Sequence, residues 1–174
     1  MQNVEFKAEL RDPSLARTIC RSIDASFIGT LRQNDTYFRV PDAKLKRREV
    51  PGAPPEYIFY NRANRSRPKL SSYTIYTERQ AHERFGISPL PIWIVVSKTR
   101  DLYMHKGVRI HLDNVEHLGH FIEFEAVVAT DRNLAACHAL MDELRTTLHP
   151  AMGEPIACGY ADLLAQDQPS ERAV

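Results

Sequence analysis

The feature that most constrains the fold of this chain is a period-two alternation of apolar and charged residues. In the segment NVEFKAEL, residues 3–10, the residues Val, Phe, Ala and Leu alternate with Asn, Glu, Lys and Glu. In the segment HFIEFEAVV, residues 120–128, Glu123 and Glu125 lie on either side of Phe124. Because successive side chains of a strand point to opposite faces, each segment predicts a strand with one apolar and one charged face.

Basic segments show the same alternation, and positive charge is concentrated in the middle third of the chain. The formal net charge is only +1, yet nine basic residues lie between Arg39 and Lys69, against the acidic residues Asp42, Glu49 and Glu56. Such a concentration predicts an anionic partner. Strand phase groups the charged and polar residues as follows: Lys44, Lys46 and Arg48 in KLKRR; Lys98 and Arg100 in SKTR; Arg109, His111 and Asp113 in VRIHLDNV; and Arg62 and Lys69 at the ends of their strands.

Most other segments also predict strands, with two or three helices between them. Asp12 followed by Pro13 predicts the start of one helix. Thr77 and Gln80 have the spacing of a capping box, which predicts a second, short helix. The segment 134–148 carries an apolar stripe at helical spacing and predicts a longer amphipathic helix. About eight strands with few helices indicate an α+β protein dominated by one sheet.

The length and composition indicate one domain. A chain of 174 residues that is 43% hydrophobic and 26% charged is typical of a globular protein. We expect the domain to span residues 1–166 and the polar stretch 167–174 to form a flexible tail.

Asn34-Asp35 is a turn signal, so ASFIGTLRQ and TYFRV are predicted to form a hairpin. IWIVVSKTR and LYMHKG are likewise interpreted as two strands.

The charged faces can be explained in two ways. An ordinary sheet with one solvated face accounts for any single strand. The helices, however, carry apolar stripes that must cover the sheet from outside, and a closed barrel would leave no exposed edges. In such a barrel the charged faces line the interior, where unpaired cations are very costly. We therefore expect an anionic ligand inside, bridged to the acidic strands by a divalent metal ion.

Several other classes of protein are disfavoured by the sequence. No stretch approaches the roughly 20 apolar residues that a membrane span needs, and no signal peptide is visible at the N-terminus. The cysteines Cys20, Cys137 and Cys158 are widely spaced and form no C-x-x-C pair, which favours a reducing, cytoplasmic setting. A nucleic-acid-binding module would carry the KLKRR charges on its outer surface, whereas strand phase directs them inward. We expect neither a nucleic acid nor a membrane as partner.

Several motifs, in order, resemble those of one family. NVEFK is similar to the signature E-x-E-x-K, with Glu5 and Lys7 matching and Asn3 at the position of the first Glu. DTYF, KLKRR, FYNR, KLSSY and GYADLL are similar to further motifs. The stretch VVSKTRDLYM followed by VRIHLDNVEHLGHFIEFE resembles the end of class IV adenylyl cyclases. Over about residues 1 to 165, the chain resembles the CYTH superfamily, the triphosphate tunnel metalloenzymes.

This resemblance implies a closed eight-stranded antiparallel β-barrel with helices packed outside, in which basic residues hold a triphosphate and carboxylates bind Mg²⁺ or Mn²⁺. Carried over residue by residue, it implies metal ligands at Glu5, Asp113, Glu123 and Glu125, and a catalytic lysine at Lys7. It implies substrate-binding residues at Lys44, Lys46, Arg48, Arg62, Lys69, Lys98, Arg100 and Arg109.

The resemblance predicts an enzyme of the adenylyl cyclase type, which converts ATP to cyclic AMP and pyrophosphate. A triphosphatase that acts on thiamine triphosphate, a nucleoside triphosphate or inorganic triphosphate is the alternative. Because Asn3 removes one carboxylate, a noncatalytic nucleotide- or polyphosphate-binding protein is a third hypothesis. His111 faces inward by its phase, as a nucleoside contact or a structural residue, and we interpret Tyr37 and Tyr73 as barrel packing. A homodimer is one oligomeric state that we consider.

Overall fold

The computed structural model describes residues 1–41, 43–86 and 88–167. The predicted tail lies outside the described residues except for Asp167, which ends the last helix. The strands are β1 (Gln2–Leu10), β2 (Ser26–Phe38), β3 (Lys44–Glu49), β4 (Glu56–Arg62), β5 (Lys69–Thr77), β6 (Ile92–His105), β7 (Val108–Val115), β8 (Gly119–Val127) and β9 (Met152–Pro155). The helices are α1 (Pro13–Ser22), α2 (Glu78–Phe85), α3 (Leu134–Leu148) and α4 (Tyr160–Asp167), with a 3-10 turn at His149–Ala151.

Eight of these strands form a closed antiparallel barrel. Their order is β5-β4-β3-β2-β6-β7-β8-β1, and β1 pairs back onto β5, with Val4 opposite Leu70. The short strand β9 adds to the free part of β1, where Met152 lies opposite Leu10. The first part of β1 pairs with β5 and its last part pairs with β9, so the barrel closes without an exposed edge along β1. The predicted eight-stranded barrel with helices outside is confirmed.

Two details of the predicted strands were wrong, and one short strand was not predicted. Asn34-Asp35 is not a turn but part of the continuous strand β2, which pairs with β3 on one side and β6 on the other. The Asn34 side chain accepts a hydrogen bond from Ser97 Oγ at 2.6 Å, so it bonds across the sheet and not to its own backbone. The two strands predicted around Arg100 are one strand, β6, and the sequence pattern gave no sign of β9.

The outward faces of β1, β7 and β8 pack against α1 and α3 and form an apolar core. Asp12 caps α1 by accepting a hydrogen bond from Leu15 N at 2.8 Å, as predicted from the sequence. Helix α3 spans the predicted residues and buries the predicted stripe. Each large apolar side chain buried here contributes about 1.5–3 kcal/mol to folding. The fully buried members include Val4, Phe124, Ile110, Ile122, Met141 and Leu148.

A second apolar cluster lies inside the barrel, at the part where α4 packs. Inward-facing side chains of β6, β7 and β8, including Val96, Val115 and Phe121, contact Tyr160 and Ala161 of α4. Apolar residues therefore fill one part of the interior, and the remaining interior is lined mostly by charge. Among the described residues, no helix has the length and apolar character needed to cross a membrane.

Candidate active site

The barrel encloses a cavity of about 390 Å³, lined by inward-facing residues of its strands. The period-two rule predicted which charged side chains would meet there, and the structure brings them together. The predicted site residues that line the cavity are Glu5, Lys7, Lys46, Arg48, Arg62, Lys98, Arg100, Arg109, Glu123 and Glu125. Their placement follows from strand phase, whereas their individual roles stay predictions.

Lys46 and Arg48 of β3 and Lys98 of β6 are organised around one buried carboxylate, Asp35, which is 1% exposed. Lys46 Nζ and Lys98 Nζ each donate to Asp35 Oδ2 at 2.9 Å. Arg48 donates from Nε and Nη2 to the two carboxylate oxygens, both at 2.7 Å. A bidentate pair of this kind is short and fixes the plane of the guanidinium. Asp35 therefore holds three cations in one orientation at the cavity wall.

Asp35 was not among the residues predicted for the site. It lies in the DTYF motif, but the predicted turn at 34–35 removed it from the strand pattern. Read as part of one continuous strand, it has the inward phase of Tyr37, and that phase was the available signal. A buried acid opposite Arg48 in the β2–β3 register was visible only once the strands were paired.

Burial shifts the proton affinities of this group. Desolvation, reinforced by Arg48, lowers the pKa of Lys46 to about 7 although Asp35 opposes the shift. Desolvation also lowers the pKa of Lys98 to about 8, against the effect of Asp35. Burial acts to raise the pKa of Asp35, but the three cations outweigh it and hold that pKa well below its usual value. Part of the positive charge of the cavity consequently titrates near neutral pH.

The opposite wall of the cavity carries the acidic residues of β8. Glu123 lies 3.5 Å from Lys7 Nζ, accepts from Arg100 Nη2 at 2.9 Å and lies 3.4 Å from His111 Nδ1. Glu125 lies 3.7 Å from Arg109 Nη1. Burial acts to raise the pKa of Glu123, but Lys7 and its other partners outweigh it and keep that pKa well below the usual range. Glu123 is therefore an ionised acceptor inside the barrel.

A cluster able to hold a divalent cation lies on this wall. His111, Glu123 and Glu125 each offer a ligand atom, and these atoms lie within 4.8 Å of one another. Asn3 lines the same cavity, is 6% exposed, and leaves its Oδ1 buried without a hydrogen-bond partner among the described residues. Carboxylate and amide oxygens are ligands that suit Mg²⁺ and Mn²⁺, whereas the imidazole nitrogen of His111 would add a donor of the kind that transition-metal ions take. These residues therefore fit a divalent ion.

The other two predicted metal ligands are engaged by arginines. Glu5 lies opposite Glu125 in the β1–β8 register and accepts a hydrogen bond from Arg62. Burial raises the pKa of Glu5, and Arg62 opposes that shift. Asp113 accepts from Arg100 Nε at 2.7 Å and from Arg100 Nη2 at 2.6 Å. Within the described part of the chain, the clustered ligand atoms are those of β7 and β8.

Two predicted substrate-binding residues lie beside the cavity and not in its lining. Lys44 pairs with Asp162 of α4. Lys69 Nζ donates to Ala157 O at 2.6 Å and to Arg65 O at 3.0 Å. Burial and the neighbouring Arg62 lower the pKa of Lys69 to about 8. Both lysines therefore bind residues outside the eight barrel strands.

Tyr160 at the start of α4 is a site residue that was not singled out from the sequence. Its hydroxyl donates to Asp113 Oδ2 at 2.7 Å, and Lys7 Nζ lies 3.7 Å from the centre of its ring. Burial raises the pKa of this phenol well above its usual value, and the nearby Asp113 adds to the effect. Tyr160 is thus a neutral donor that fixes Asp113 and supports Lys7. The GYADLL motif was the available signal.

A model of the CYTH domain family matches residues 1–157. The chain belongs to the CYTH domain family. Its fold is similar to that of the PH1012 protein from Pyrococcus horikoshii OT3, with a TM-score of 0.74 and 18% identity over 92% of this chain and 98% of that chain. A proposed adenylate cyclase from Vibrio parahaemolyticus gives a TM-score of 0.70 and 17% identity over 94% of this chain and 97% of that chain.

A third structure of the same fold is HpAC1 from Hippeastrum, a proposed adenylyl cyclase described with a dominant triphosphatase activity. Its TM-score to this CYTH protein is 0.64, at 12% identity over 97% of this chain and 98% of that chain. At these identities the likeness shows the fold alone. A comparison with curated protein sequences gave no match.

Proposed function

We propose that this CYTH protein is a divalent-metal-dependent enzyme that acts on an organic triphosphate, of the class IV adenylyl cyclase type. The observation that supports it is one cavity inside the barrel that is lined both by a set of fixed cations and by a carboxylate cluster. The cations are Lys46, Arg48, Arg62, Lys98 and Arg100, and the facing carboxylates are Glu5, Glu123 and Glu125. A chain of phosphates carries the negative charge that these cations bind.

The cations are arranged before any ligand binds. Arg48 and Lys98 are held by Asp35, and Arg100 is held by Asp113 and Glu123. Phosphoryl chemistry depends mainly on positioning and electrostatic stabilisation, so groups that need no reorganisation are effective. We propose that these side chains bind the phosphate oxygens and stabilise the charge that develops on them.

His111, Glu123 and Glu125, with Glu5 opposite Glu125, would hold the metal ion. A divalent ion at that place supplies Lewis-acid polarisation of phosphate oxygens. Asn3 contributes a neutral amide oxygen where the family signature has a carboxylate. The site then has fewer negative charges but retains more carboxylates than the one or two that Mg²⁺ commonly takes from a protein.

In the cyclase reaction the 3′-oxygen of ATP bonds to the α-phosphorus, the bond from that phosphorus to pyrophosphate breaks, and the hydroxyl proton passes to water. We propose that Lys7 orients the attacking hydroxyl. Its ammonium lies between Glu123 and the Tyr160 ring, which restrict its position. Lys46 and Arg48 would bind the departing pyrophosphate, whose negative charge grows as the bond to the α-phosphorus breaks.

A triphosphatase is the second candidate, and the fold shared with HpAC1, described with a dominant triphosphatase activity, favours it. In that reaction a water oxygen bonds to the terminal phosphorus and the diphosphate leaves. The same cations would serve both reactions, because each requires a fixed phosphate chain. The two differ in which phosphorus faces the nucleophile.

The test is a substrate panel of ATP, GTP, thiamine triphosphate and tripolyphosphate with Mg²⁺ or Mn²⁺, with products separated by chromatography. Cyclic AMP with pyrophosphate supports the cyclase, and ADP with phosphate supports the triphosphatase. Lys7→Ala is the control for contaminating activity and should lose product formation. Tight binding without any product, with either metal, would contradict both enzymes and favour a binding protein.

A further inference from the structure

The outer surface of the barrel carries a cleft in which positive charge lies beside an exposed apolar side chain. It is formed between residues 63–68, which join β4 to β5, and one face of α3, and its volume is about 630 Å³. None of the described residues that line it also lines the cavity inside the barrel. We call it the basic cleft, and the residues that define it are Arg65, Arg67, Pro68, Leu70, Asp142 and Arg145.

Both sides of the basic cleft are held in place by contacts within the protein. Lys69 Nζ donates to Arg65 O at 3.0 Å and to Ala157 O at 2.6 Å, which ties the loop to the segment before α4. On α3, Arg145 Nη1 donates to Asp142 Oδ1 at 3.1 Å, and its guanidinium carbon lies 4.8 Å from the ring centre of the β1 phenylalanine. A cation–π contact of this kind restricts the guanidinium. The cleft is therefore formed before a partner binds.

The protein does not neutralise the charge of the basic cleft. The lining holds three arginines but one carboxylate, that of Asp142, which already accepts from Arg145. Arg65 and Arg67 are exposed, and neither forms an ion pair within the part of the chain that the structure describes. These two arginines belong to the basic middle third of the sequence but lie outside the barrel cavity. An anionic partner is therefore expected at the cleft.

An exposed apolar side chain shares the cleft with these cations. Leu70 points outward from β5, opposite Val4 of β1, and is 39% exposed. With Pro68 it supplies the apolar part of the lining. A phosphate group gains nothing by covering such a surface, whereas an apolar side chain removes it from water. The cleft therefore suits a ligand that carries both anionic groups and an apolar group.

Asp142 and the size of the cleft narrow the choice of ligand further. The Asp142 carboxylate repels a phosphodiester backbone, which has no N–H group to donate, but it can accept a hydrogen bond from a peptide N–H. A volume of about 630 Å³ suits a short segment. Binding of a nucleic acid through its backbone depends instead on many phosphate contacts along a surface. These features favour an acidic peptide.

We propose that the basic cleft binds an acidic peptide segment of a partner protein, with carboxylates on Arg65 and Arg67 and an apolar side chain on Leu70. Arginine forms bidentate hydrogen bonds with carboxylates, so these contacts are directional as well as electrostatic. The proposal goes beyond the triphosphate chemistry and does not depend on it, because the cleft and the barrel cavity have no lining residue in common among the described residues.

The experiment uses two fluorescein-labelled peptides of equal charge. The anchor peptide is Asp-Glu-Asp-Leu-Phe-Asp-Glu-Asp, and the polar peptide has Ser-Gly in place of Leu-Phe. Dissociation constants are measured by fluorescence anisotropy for the wild type, for Leu70→Ala and for the double variant Arg65→Ala, Arg67→Ala. The control double variant Arg79→Ala, Arg84→Ala removes the same charge from exposed positions of α2.

The double variant Arg65→Ala, Arg67→Ala should raise the dissociation constant of the anchor peptide about tenfold or more, because two charge-assisted contacts are lost. The control double variant should change it less than about twofold. Leu70→Ala should raise the constant of the anchor peptide about two- to fivefold and leave that of the polar peptide unchanged. All variants should keep the melting temperature of the wild type, since the substituted side chains are exposed.

Equal dissociation constants for the two double variants would overturn the proposal, because binding would then depend on overall charge or occur elsewhere. Failure of the wild type to bind either peptide at about 1 mM would overturn it too. Tripolyphosphate and an eight-nucleotide oligothymidylate are the competing anions, and neither should distinguish the wild type from Arg65→Ala, Arg67→Ala. If one of them binds more tightly than the anchor peptide and loses affinity in that variant, the cleft is a phosphate or nucleic-acid site and the proposal is wrong.

Discussion

The two faces of strand β1 show how one backbone serves two opposed requirements. Its outward residues Val4 and Phe6 pack on the helices and are almost completely buried in an apolar core. Its inward residues Glu5 and Lys7 are equally inaccessible to solvent but are surrounded by charge. The outward face stabilises the fold through the hydrophobic effect. The inward face gains little stability, because desolvation of buried ions offsets most of their attraction.

The comparison indicates that stability and binding are separated by strand phase. Substitutions of outward residues should change the free energy of unfolding. Substitutions of inward residues should change ligand affinity more than stability, although these residues are buried as well. Asp35 is the exception, since it is an inward residue on which three cations depend. The following predictions test this division, beginning with the largest effect.

The largest expected effect is on the outward face. Phe124 is fully buried and its ring lies 5.8 Å from that of Phe6. Phe124→Ala should lower the free energy of unfolding by about 3–5 kcal/mol, because it leaves a cavity in the outer core. Urea denaturation followed by circular dichroism measures the loss. Val95→Ala, at an exposed position of β6, is the control and should change it by less than about 0.5 kcal/mol. Equal losses in both variants would contradict the placement of the core.

Asp35→Asn tests the exception. Removing the carboxylate charge leaves Lys46, Arg48 and Lys98 unpaired, so the unfolding free energy should fall by about 3 kcal/mol. Tripolyphosphate should restore much of this loss, because its charge replaces that of Asp35 beside the same cations. The melting temperature with and without tripolyphosphate measures the recovery. Phe124→Ala is the matched comparison: tripolyphosphate should raise its melting temperature no more than it raises that of the wild type. A loss of stability in Asp35→Asn that no anion reverses would argue against binding of phosphate by the cations that Asp35 holds.

Lys46→Met should separate binding from stability. Triphosphate affinity should fall about tenfold to a hundredfold through loss of a charge-assisted contact. The unfolding free energy should stay near the wild-type value, because burial already disfavours the charged amine, as its pKa of about 7 shows. Calorimetric titration and urea denaturation on the same preparation make the comparison. A variant with normal affinity and lost stability would reverse the assignment of this face.

The lowered lysine pKa values predict a pH dependence. The pKa of Lys46 is about 7 in the folded protein, against an ordinary value near 10.5, so the unfolded chain binds more protons between these values. Stability of the ligand-free protein should therefore rise with pH above about 7. Triphosphate affinity should fall over the same range as Lys46 and then Lys98 lose their charge.

Binding at pH 8 should consequently take up roughly one to one and a half protons, because the phosphates favour the charged forms of Lys46 and Lys98. Calorimetry in buffers of different ionisation enthalpy measures this uptake. Terminal phosphate groups, with a pKa near 6, are already ionised at that pH and contribute little. In Lys46→Met the uptake should be smaller. Absence of proton uptake on binding would show that the lysines are charged before the ligand enters.

The smallest expected effect is at Asn3, where a carboxylate would return one charge to the acidic wall. Asn3→Glu should tighten Mg²⁺ or Mn²⁺ binding about two- to tenfold, since the added anion attracts the cation while its desolvation opposes the gain. Titration of the metal in the presence of a nonhydrolysable triphosphate measures the change. Asn61→Glu, on strand β4 outside the cavity lining, is the control. Weaker metal binding in Asn3→Glu would show that position 3 is not a ligand position.

Much of this architecture could be predicted from local pattern. The phase of β1, β3, β6, β7 and β8 correctly separated charged from apolar side chains, because successive residues of any strand point to opposite faces. The bounds of α3 and the capping box of α2 were predicted correctly for the same kind of reason: they depend on residues within a few positions of each other. These features are determined by the sequence alone.

Features that depend on distant residues were decided by the tertiary structure. Asn34 and Asp35 have the local character of a turn, yet β2 continues through them because β3 and β6 pair with it on both sides. Asp35, Tyr160 and Asp162 became recognisable as partners of Lys98, Lys7 and Lys44 only when the barrel had closed and α4 had packed against it. The sequence alone determined which face each side chain takes, since that depends on neighbouring residues. The tertiary structure decided which charges meet, since partners such as Lys44 and Asp162 lie 118 positions apart along the chain.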